Sequence, residues 1–341
     1  MTPRTAASAV GGGRAVPYWA MSPVTASPGR PFGRVLTAMV TPFDVDGRLD
    51  LDRAEQLANH LIELGNDGLV VNGTTGESPT TTDQEKSELI RAVVNAVGDR
   101  ATVVAGASTY DTAHSIELAR EAEKAGAQGL LLVTPYYSRP PQSGLFLHFT
   151  SIADATELPV MLYDIPPRSV IPIELDTFRR LAEHPRILAV KDARNDLRIG
   201  TEVMATTKLA YYSGDDPVNQ PWLAVGASGY VSVIGHVVAD RLRALVDAFE
   251  AGELARAREI NASMLPVQRA MGRVGGAVFV KTALRLRGLD VGDTRLPLPP
   301  PSEQQVRDIT VDLHTAGVPL GPNAYRSAAP ETVPTAEVAY R

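Results

Sequence analysis

The feature that most limits the folds open to this chain is an alternation: a short β-branched apolar run, a loop, then an amphipathic stretch, over and over. The apolar runs are "RVLTAMV" (34–40), "GLVVNG" (68–73), "TVVAGA" (102–107), "GLLLVTP" (129–135), "PVMLYDI" (159–165), "ILAVKDA" (187–193), "LAYYSGD" (209–215) and "GYVSVIG" (229–235). They are apolar on both faces, as strands covered on both sides must be, and the segments between them have helical spacing. In "LDRAEQLANHLIELG", Leu51, Ala54, Leu57, Ala58, Leu61 and Ile62 fall on one face of a 3.6-residue period. "DTAHSIELAREAEKAG" opens on an N-cap candidate, Asp111, and closes near Gly126. Strands alternating with helices build a parallel sheet, and eight such units close a (β/α)8 TIM barrel of about 250 residues. An open, doubly wound sheet usually carries a Gly-rich phosphate turn after its first strand, and "TAMVTPFDVDG" has none. The expected class is α/β, a (β/α)8 TIM barrel.

The strands stop near residue 253. "ELARAREINASMLPVQRAMGRVGGAVFVKTALRLRG" and "SEQQVRDITVDLHTAG" read as helices. The organisation expected is a barrel catalytic domain over 33–252 and a C-terminal helical appendage over 253–320. Residues 321–341 have the composition of a disordered tail. Residues 1–32 are small, Gly- and Pro-rich and lack the continuous apolar stretch of a secretory signal, so a flexible leader is expected.

Composition narrows the chemistry. The net charge is −6 and no basic block occurs, which argues against nucleic acid or an anionic membrane as partner. No apolar run reaches the ~18–20 residues of a membrane span. Without cysteine there are no disulfides, thiolate nucleophiles or Cys-ligated metals, and a cytoplasmic location is expected. His60, His114, His148, His184, His236 and His314 are scattered with no pair at ligand spacing, so no metal site is expected.

Active sites of such barrels lie at the C-terminal ends of the strands. There, strand six ends its apolar run in Lys191. Only a neutral amine attacks a carbonyl, and desolvation by Val190 and the barrel interior would lower the lysine pKa, as a Schiff-base enzyme requires. A lysine there could instead snorkel, or pair with Asp192 or Asp215. "GTTGES" offers two hydroxyls, Thr74 and Thr75, beside glycines whose bare N–H groups suit a carboxylate; by itself it reads more readily as an ordinary loop into an N-cap. The phenols of "PYYSRPP" and Tyr163 suit proton transfer or plain packing, and Arg168 an anion clamp or a surface bridge. Taken together these groups are the equipment of an imine-forming aldolase or lyase, with no cofactor motif.

"TAMVTPF", "NGTTGES", "VTPYYSRPPQ", "LYDIPPRS", "VKDA", "YYSGDD" and "GYVSVIGH" stand in the order and spacing of the dihydrodipicolinate synthase (4-hydroxy-tetrahydrodipicolinate synthase) family, which the chain resembles over about residues 33–320. The resemblance implies condensation of pyruvate with L-aspartate 4-semialdehyde, toward diaminopimelate and lysine, with no cofactor. It further implies that Lys191 forms the imine with pyruvate and that Tyr163 donates and accepts protons. Thr74 and Tyr137 complete the hydroxyl relay, Tyr137 in the neighbouring subunit's site. Thr75 and the Val231 backbone hold pyruvate, Arg168 meets the semialdehyde carboxylate, and Gly214 lines the floor. A homotetramer, built as a dimer of dimers, is the implied assembly.

Other members of this barrel group, such as N-acetylneuraminate lyase and keto-sugar-acid aldolases, share the lysine and the tyrosine. A paralogous aldolase for another aldehyde and a non-catalytic 2-oxo-acid-binding barrel are therefore the competing readings. Two departures stand out: Pro167 replaces a small flexible residue beside Arg168, and "VKDARND" is unusually charged. At the positions where lysine-sensitive members hold lysine, this chain has Asp83, Lys86, Tyr110 and His114, so weak or absent lysine feedback is expected.

Overall fold

The structure, a computed structural model, describes residues 29–322; residues 1–28 and 323–341, which include most of the expected leader and tail, lie outside the described residues. Eight strands, β1 (Val35–Ala38), β2 (Gly68–Val71), β3 (Thr102–Gly106), β4 (Gly129–Val133), β5 (Val160–Asp164), β6 (Ile187–Asp192), β7 (Ala210–Ser213) and β8 (Gly229–Ser232), form a closed barrel in sequence order. All pairings are parallel, and β8 closes onto β1 with Val231 opposite Leu36. The barrel and the alternating helices are those expected from the sequence.

The helices outside the strands are α1 (Leu51–Glu63), α2 (Asp83–Val97), α3 (Thr112–Lys124), α4 (Gln142–Asp154), α5 (Pro166–Ser169), α6 (Leu175–Leu181), α7 (Leu197–Thr206), α8 (Asn219–Ala224) and α9 (Gly235–Glu250). Four of them, α1, α2, α3 and α7, start on a short polar side chain (Asp50, Thr82, Asp111 and Asp196) that satisfies an otherwise orphaned N–H group. Asp111 accepts from the Ala113 N–H as the sequence suggested, and Thr82 and Glu85 close a reciprocal capping box on α2. The apolar stripe of α1 buries Ala54, Leu57, Ala58 and Leu61 against the outward faces of the strands. A second, smaller apolar set fills the barrel itself, from Leu36, Val70, Val104, Leu131, Met161 and Ala189. Each large aliphatic side chain buried this way contributes roughly 1.5–3 kcal/mol.

Phe32, which composition placed at the end of the leader, is fully buried. It meets Tyr212 edge-on at 6.5 Å, and the Tyr212 hydroxyl donates to the Gly33 carbonyl at 2.9 Å. Both contacts lie at the start of β1, the face opposite the catalytic rim.

One irregularity decides where the chemistry lies. Val160 pairs with Ile187, but the next partners are Met161 and Ala189, so Leu188 is an extra residue in β6. It is 37% exposed, against the sequence reading of an unbroken buried run. Because side chains alternate faces along a strand, an inserted residue reverses the parity of all that follow. Ile187 packs in the outer layer and Ala189 in the barrel interior. Regular alternation from Ile187 would have turned Lys191 outward; the bulge turns it in.

Beyond the barrel come α10 (Leu254–Ser263), α11 (Leu265–Val274), α12 (Gly276–Leu286) and α13 (Glu303–Thr315). α13 is tied to α11 by the buried Asp312 carboxylate, which accepts from Arg269 Nε at 2.8 Å and Arg273 Nε at 2.7 Å. α12 is buried almost all round, from Ala277 to Leu284, and its first residues line a cavity at the carboxyl end of the barrel strands. No helix among the described residues is long and apolar enough to cross a membrane.

Candidate active site

Tyr163 and Lys191 are direct cross-strand partners on β5 and β6. They are 5% and 4% exposed, and Lys191 Nζ lies 4.1 Å from the centroid of the Tyr163 ring. Burial pushes the Lys191 pKa down to about 8; Asp216 opposes the shift and Arg168 adds to it. Burial pushes Tyr163 up to about 12, against the pull of Arg168 and of a hydrogen bond with Thr74. At neutral pH the phenol is therefore protonated, and about a tenth of the amine is free.

Gly214 accounts for the space. Its N–H donates to the Asp192 carbonyl at 2.6 Å, and a Cβ there would stand 2.9 Å from that oxygen and 2.9 Å from Lys191 Cγ. Only glycine leaves room for the lysine side chain. Arg168 is presented by α5, a single turn started by Pro166 and Pro167. The proline pair pre-sets the backbone φ and places the guanidinium at the mouth.

Two cavities meet at this point. One, about 470 Å³, is lined by Lys191, Tyr163, Thr74, Thr75, Arg168 and Gly214, among others. The other, about 230 Å³, shares Thr74, Tyr163 and Arg168 and runs toward Tyr136. Thr74, Thr75, Tyr163, Arg168, Lys191 and Gly214 are thus brought together. Val231 is fully buried in the barrel interior on β8, two residues before Val233, which lines the larger cavity. Tyr137 is not brought to this site. It is 88% exposed with a left-handed φ of 71°, and its neighbour Tyr136 turns inward, edge-on to Tyr110 at 5.3 Å.

Several contributors were missed in the sequence. Asp216, fully buried, accepts from Ser232 Oγ at 2.5 Å and from the Val233 and Ile234 N–H groups at 2.9 and 3.0 Å, fixing the end of β8 beside the lysine. Its signal was the second acid of "SGDD", at a strand end before a proline. Met271, Gly275, Gly276, Val278 and Leu298 roof the larger cavity, and they read as ordinary helix and loop residues in sequence. The charged "DARND" has a local explanation. Asp192 Oδ1 accepts from the Arg194 and Asn195 N–H groups at 3.0 and 2.9 Å, and Oδ2 accepts from Tyr211 at 2.6 Å. Asp164, opposite Asp192, has its pKa pushed up to about 7 by burial. Three of the four expected lysine-feedback positions are close together: Asp83 binds His114 Nε2 at 2.8 Å and stands 3.7 Å from Lys86 Nζ. Among the described residues no group of three His, Asp or Glu side chains is placed to hold a metal ion.

A desolvated lysine facing a protonated tyrosine at the carboxyl rim of a (β/α)8 barrel is the equipment of the imine-forming lyases. The comparisons narrow the class. The model of the dihydrodipicolinate synthetase family matches residues 31–316. The chain is 61% identical over 286 residues to the 4-hydroxy-tetrahydrodipicolinate synthase of Mycolicibacterium paratuberculosis, covering 84% of this chain and 95% of that one. The dihydrodipicolinate synthase of Bacillus anthracis superposes with a TM-score of 0.81 at 43% identity, over 83% of this chain and 98% of the other. That of Cyanidioschyzon merolae, solved with lysine bound, gives 0.82 at 40%, over 84% and 98%. The chain belongs to the dihydrodipicolinate synthetase family.

Proposed function

We propose that this chain condenses pyruvate with L-aspartate 4-semialdehyde to give 4-hydroxy-tetrahydrodipicolinate and water, in lysine and diaminopimelate biosynthesis. The observation that carries the reading is the buried Lys191 amine, its pKa lowered to about 8 and its Nζ over the Tyr163 ring at 4.1 Å. The neutral amine adds to the pyruvate ketone, and loss of water leaves an iminium. That cation draws electrons from the adjacent methyl, which gives up a proton and becomes an enamine. The enamine carbon attacks the semialdehyde carbonyl, and the new alkoxide takes a proton. The substrate's own amine then displaces Lys191 and closes the ring, restoring the free lysine.

Tyr163 is the proton carrier in this scheme. A phenol hydrogen-bonded to Thr74 passes protons through hydroxyls without leaving a charge in a dry cavity. Thr75 and the backbone at Val231 hold the pyruvate carboxylate, Arg168 at the mouth receives the semialdehyde carboxylate, and Gly214 leaves space for the imine. Tyr137 supplies its phenol to a neighbouring copy. An aromatic side chain 88% exposed on left-handed backbone supports that role, and membership of the family supports a homotetramer, arranged as a dimer of dimers, in the cytoplasm.

The test is a coupled assay offering aspartate semialdehyde beside sugar aldehydes, each with pyruvate. The semialdehyde should be preferred in kcat/KM by about 100-fold or more, since Arg168 would be left unpaired by an aldehyde without a carboxylate. Equal or faster turnover of a sugar aldehyde would assign the site to a paralogous aldolase.

A further inference from the structure

Glu77 and Lys281 form a charge pair that the catalytic scheme does not use, and it is as closed to solvent as Lys191. Their side chains are 1% and 3% exposed, with Lys281 Nζ 2.8 Å from Glu77 Oε1. Glu77 Oε2 accepts the Arg295 N–H at 2.8 Å, and Lys281 also donates to the Asp293 carbonyl at 2.9 Å. The Lys281 ammonium and the Arg295 guanidinium both lie over the Phe43 ring, 4.2 and 4.0 Å from its centroid. Arg295 also grips Glu85 with two nitrogens, at 2.5 and 2.9 Å, and the Thr80 carbonyl at 2.7 Å.

Two further facts tie this cluster to the site. Glu77 is the acid of "GTTGES", sits in left-handed backbone at φ 57°, and donates its N–H to the Thr74 carbonyl at 3.1 Å. Moving Glu77 moves Thr74. Lys281 lies on α12, whose first residues roof the same cavity. A buried ion pair is a poor way to gain stability, because desolvation of the two charges offsets their attraction, and apolar residues of like volume do as well. What such a pair does supply is a single permitted geometry. We propose that Lys281, with Arg295, is a positioning residue that acts through Glu77 to hold Thr74 and Thr75 in register with Tyr163 and Lys191, so that the C-terminal helices are part of the catalytic apparatus.

This rests on the reading of Thr74 as a relay hydroxyl and Thr75 as a pyruvate ligand. The experiment compares the full-length protein with Lys281→Met, Glu77→Gln and Arg295→Met, assayed well below each unfolding midpoint. Rates are divided by the number of sites trapped by borohydride with saturating pyruvate. A displaced Thr75 raises KM for pyruvate and a displaced Thr74 lowers kcat per trapped site, each by about tenfold or more. A merely structural pair would reduce the number of trappable sites and leave both constants unchanged. Should Lys281→Met fail to fold, the isosteric Glu77→Gln, and Arg295→Met, whose half-buried side chain anchors the backbone N–H that Glu77 accepts, carry the same expectation. Folded variants with both constants within twofold of the parent overturn the inference. Failure of the parent itself to trap pyruvate would instead overturn the function proposed above.

Discussion

Replacing Lys191 by methionine should abolish activity and stabilise the fold, and the gain should depend on pH in one direction only. The drop in pKa from 10.5 to about 8 reflects the cost of holding an ammonium group in the barrel interior. At about 1.4 kcal/mol per pH unit, that cost is about 3 kcal/mol. The folded pKa lies below the unfolded one, so the lysine's favourable contribution is complete only above pH 10.5 and is lost as pH falls through 8. Lys191→Met, nearly isosteric and uncharged, escapes this cost. Its advantage over the parent should be largest at pH 7 and should shrink by about 2 kcal/mol between pH 7 and 9.5. Reversible urea unfolding of both proteins at the two pH values gives that double difference directly, and titrating groups not coupled to Lys191 cancel. A difference that stays constant within about 0.3 kcal/mol would mean that Lys191 titrates as an ordinary lysine, and the desolvation argument would fail.

Other outcomes follow from the same geometry. Tyr163→Phe should lower kcat by about 100- to 1,000-fold while borohydride still traps pyruvate on the lysine, because the phenol moves protons and does not form the imine; normal turnover would remove it from the relay. Gly214→Ala puts a methyl 2.9 Å from Lys191 Cγ, so trapping should slow at least about tenfold, as rapid-quench mass spectrometry would reveal; an unchanged rate would show that the floor has room to spare. Lysine should inhibit weakly or not at all, since Lys86 places a cation beside Asp83, at positions where the resemblance puts the ligand of lysine-sensitive members; half-inhibition at sub-millimolar lysine contradicts this.

Much of the fold was legible because parallel strands buried on both faces are apolar throughout, and the helices between them keep a 3.6-residue stripe. The barrel then selects its own site: a lysine, a tyrosine and two threonines at strand ends stand out against that apolar background. What stayed hidden depends on register and on distant contacts. Leu188 looks like any other strand residue, yet it is the inserted one that turns Lys191 inward. Of two adjacent phenols, only the resemblance assigned Tyr137 to a neighbouring copy; no local pattern shows that Tyr136 turns in and Tyr137 out. Asp216 and the residues roofing the cavity from α11 and α12 act through tertiary packing alone. Phe32 follows a Gly- and Pro-rich stretch and carries no local sign that it seals the barrel floor.

The central claim is that one dry amine becomes covalently joined to a 2-oxo acid. Borohydride reduction of the full-length protein in the presence of pyruvate, followed by peptide mass mapping, tests it most directly. The expected result is a single N-carboxyethyl group on Lys191, absent without pyruvate and absent from Lys191→Met. Label on another lysine, or none on a protein that turns over both substrates, would contradict it.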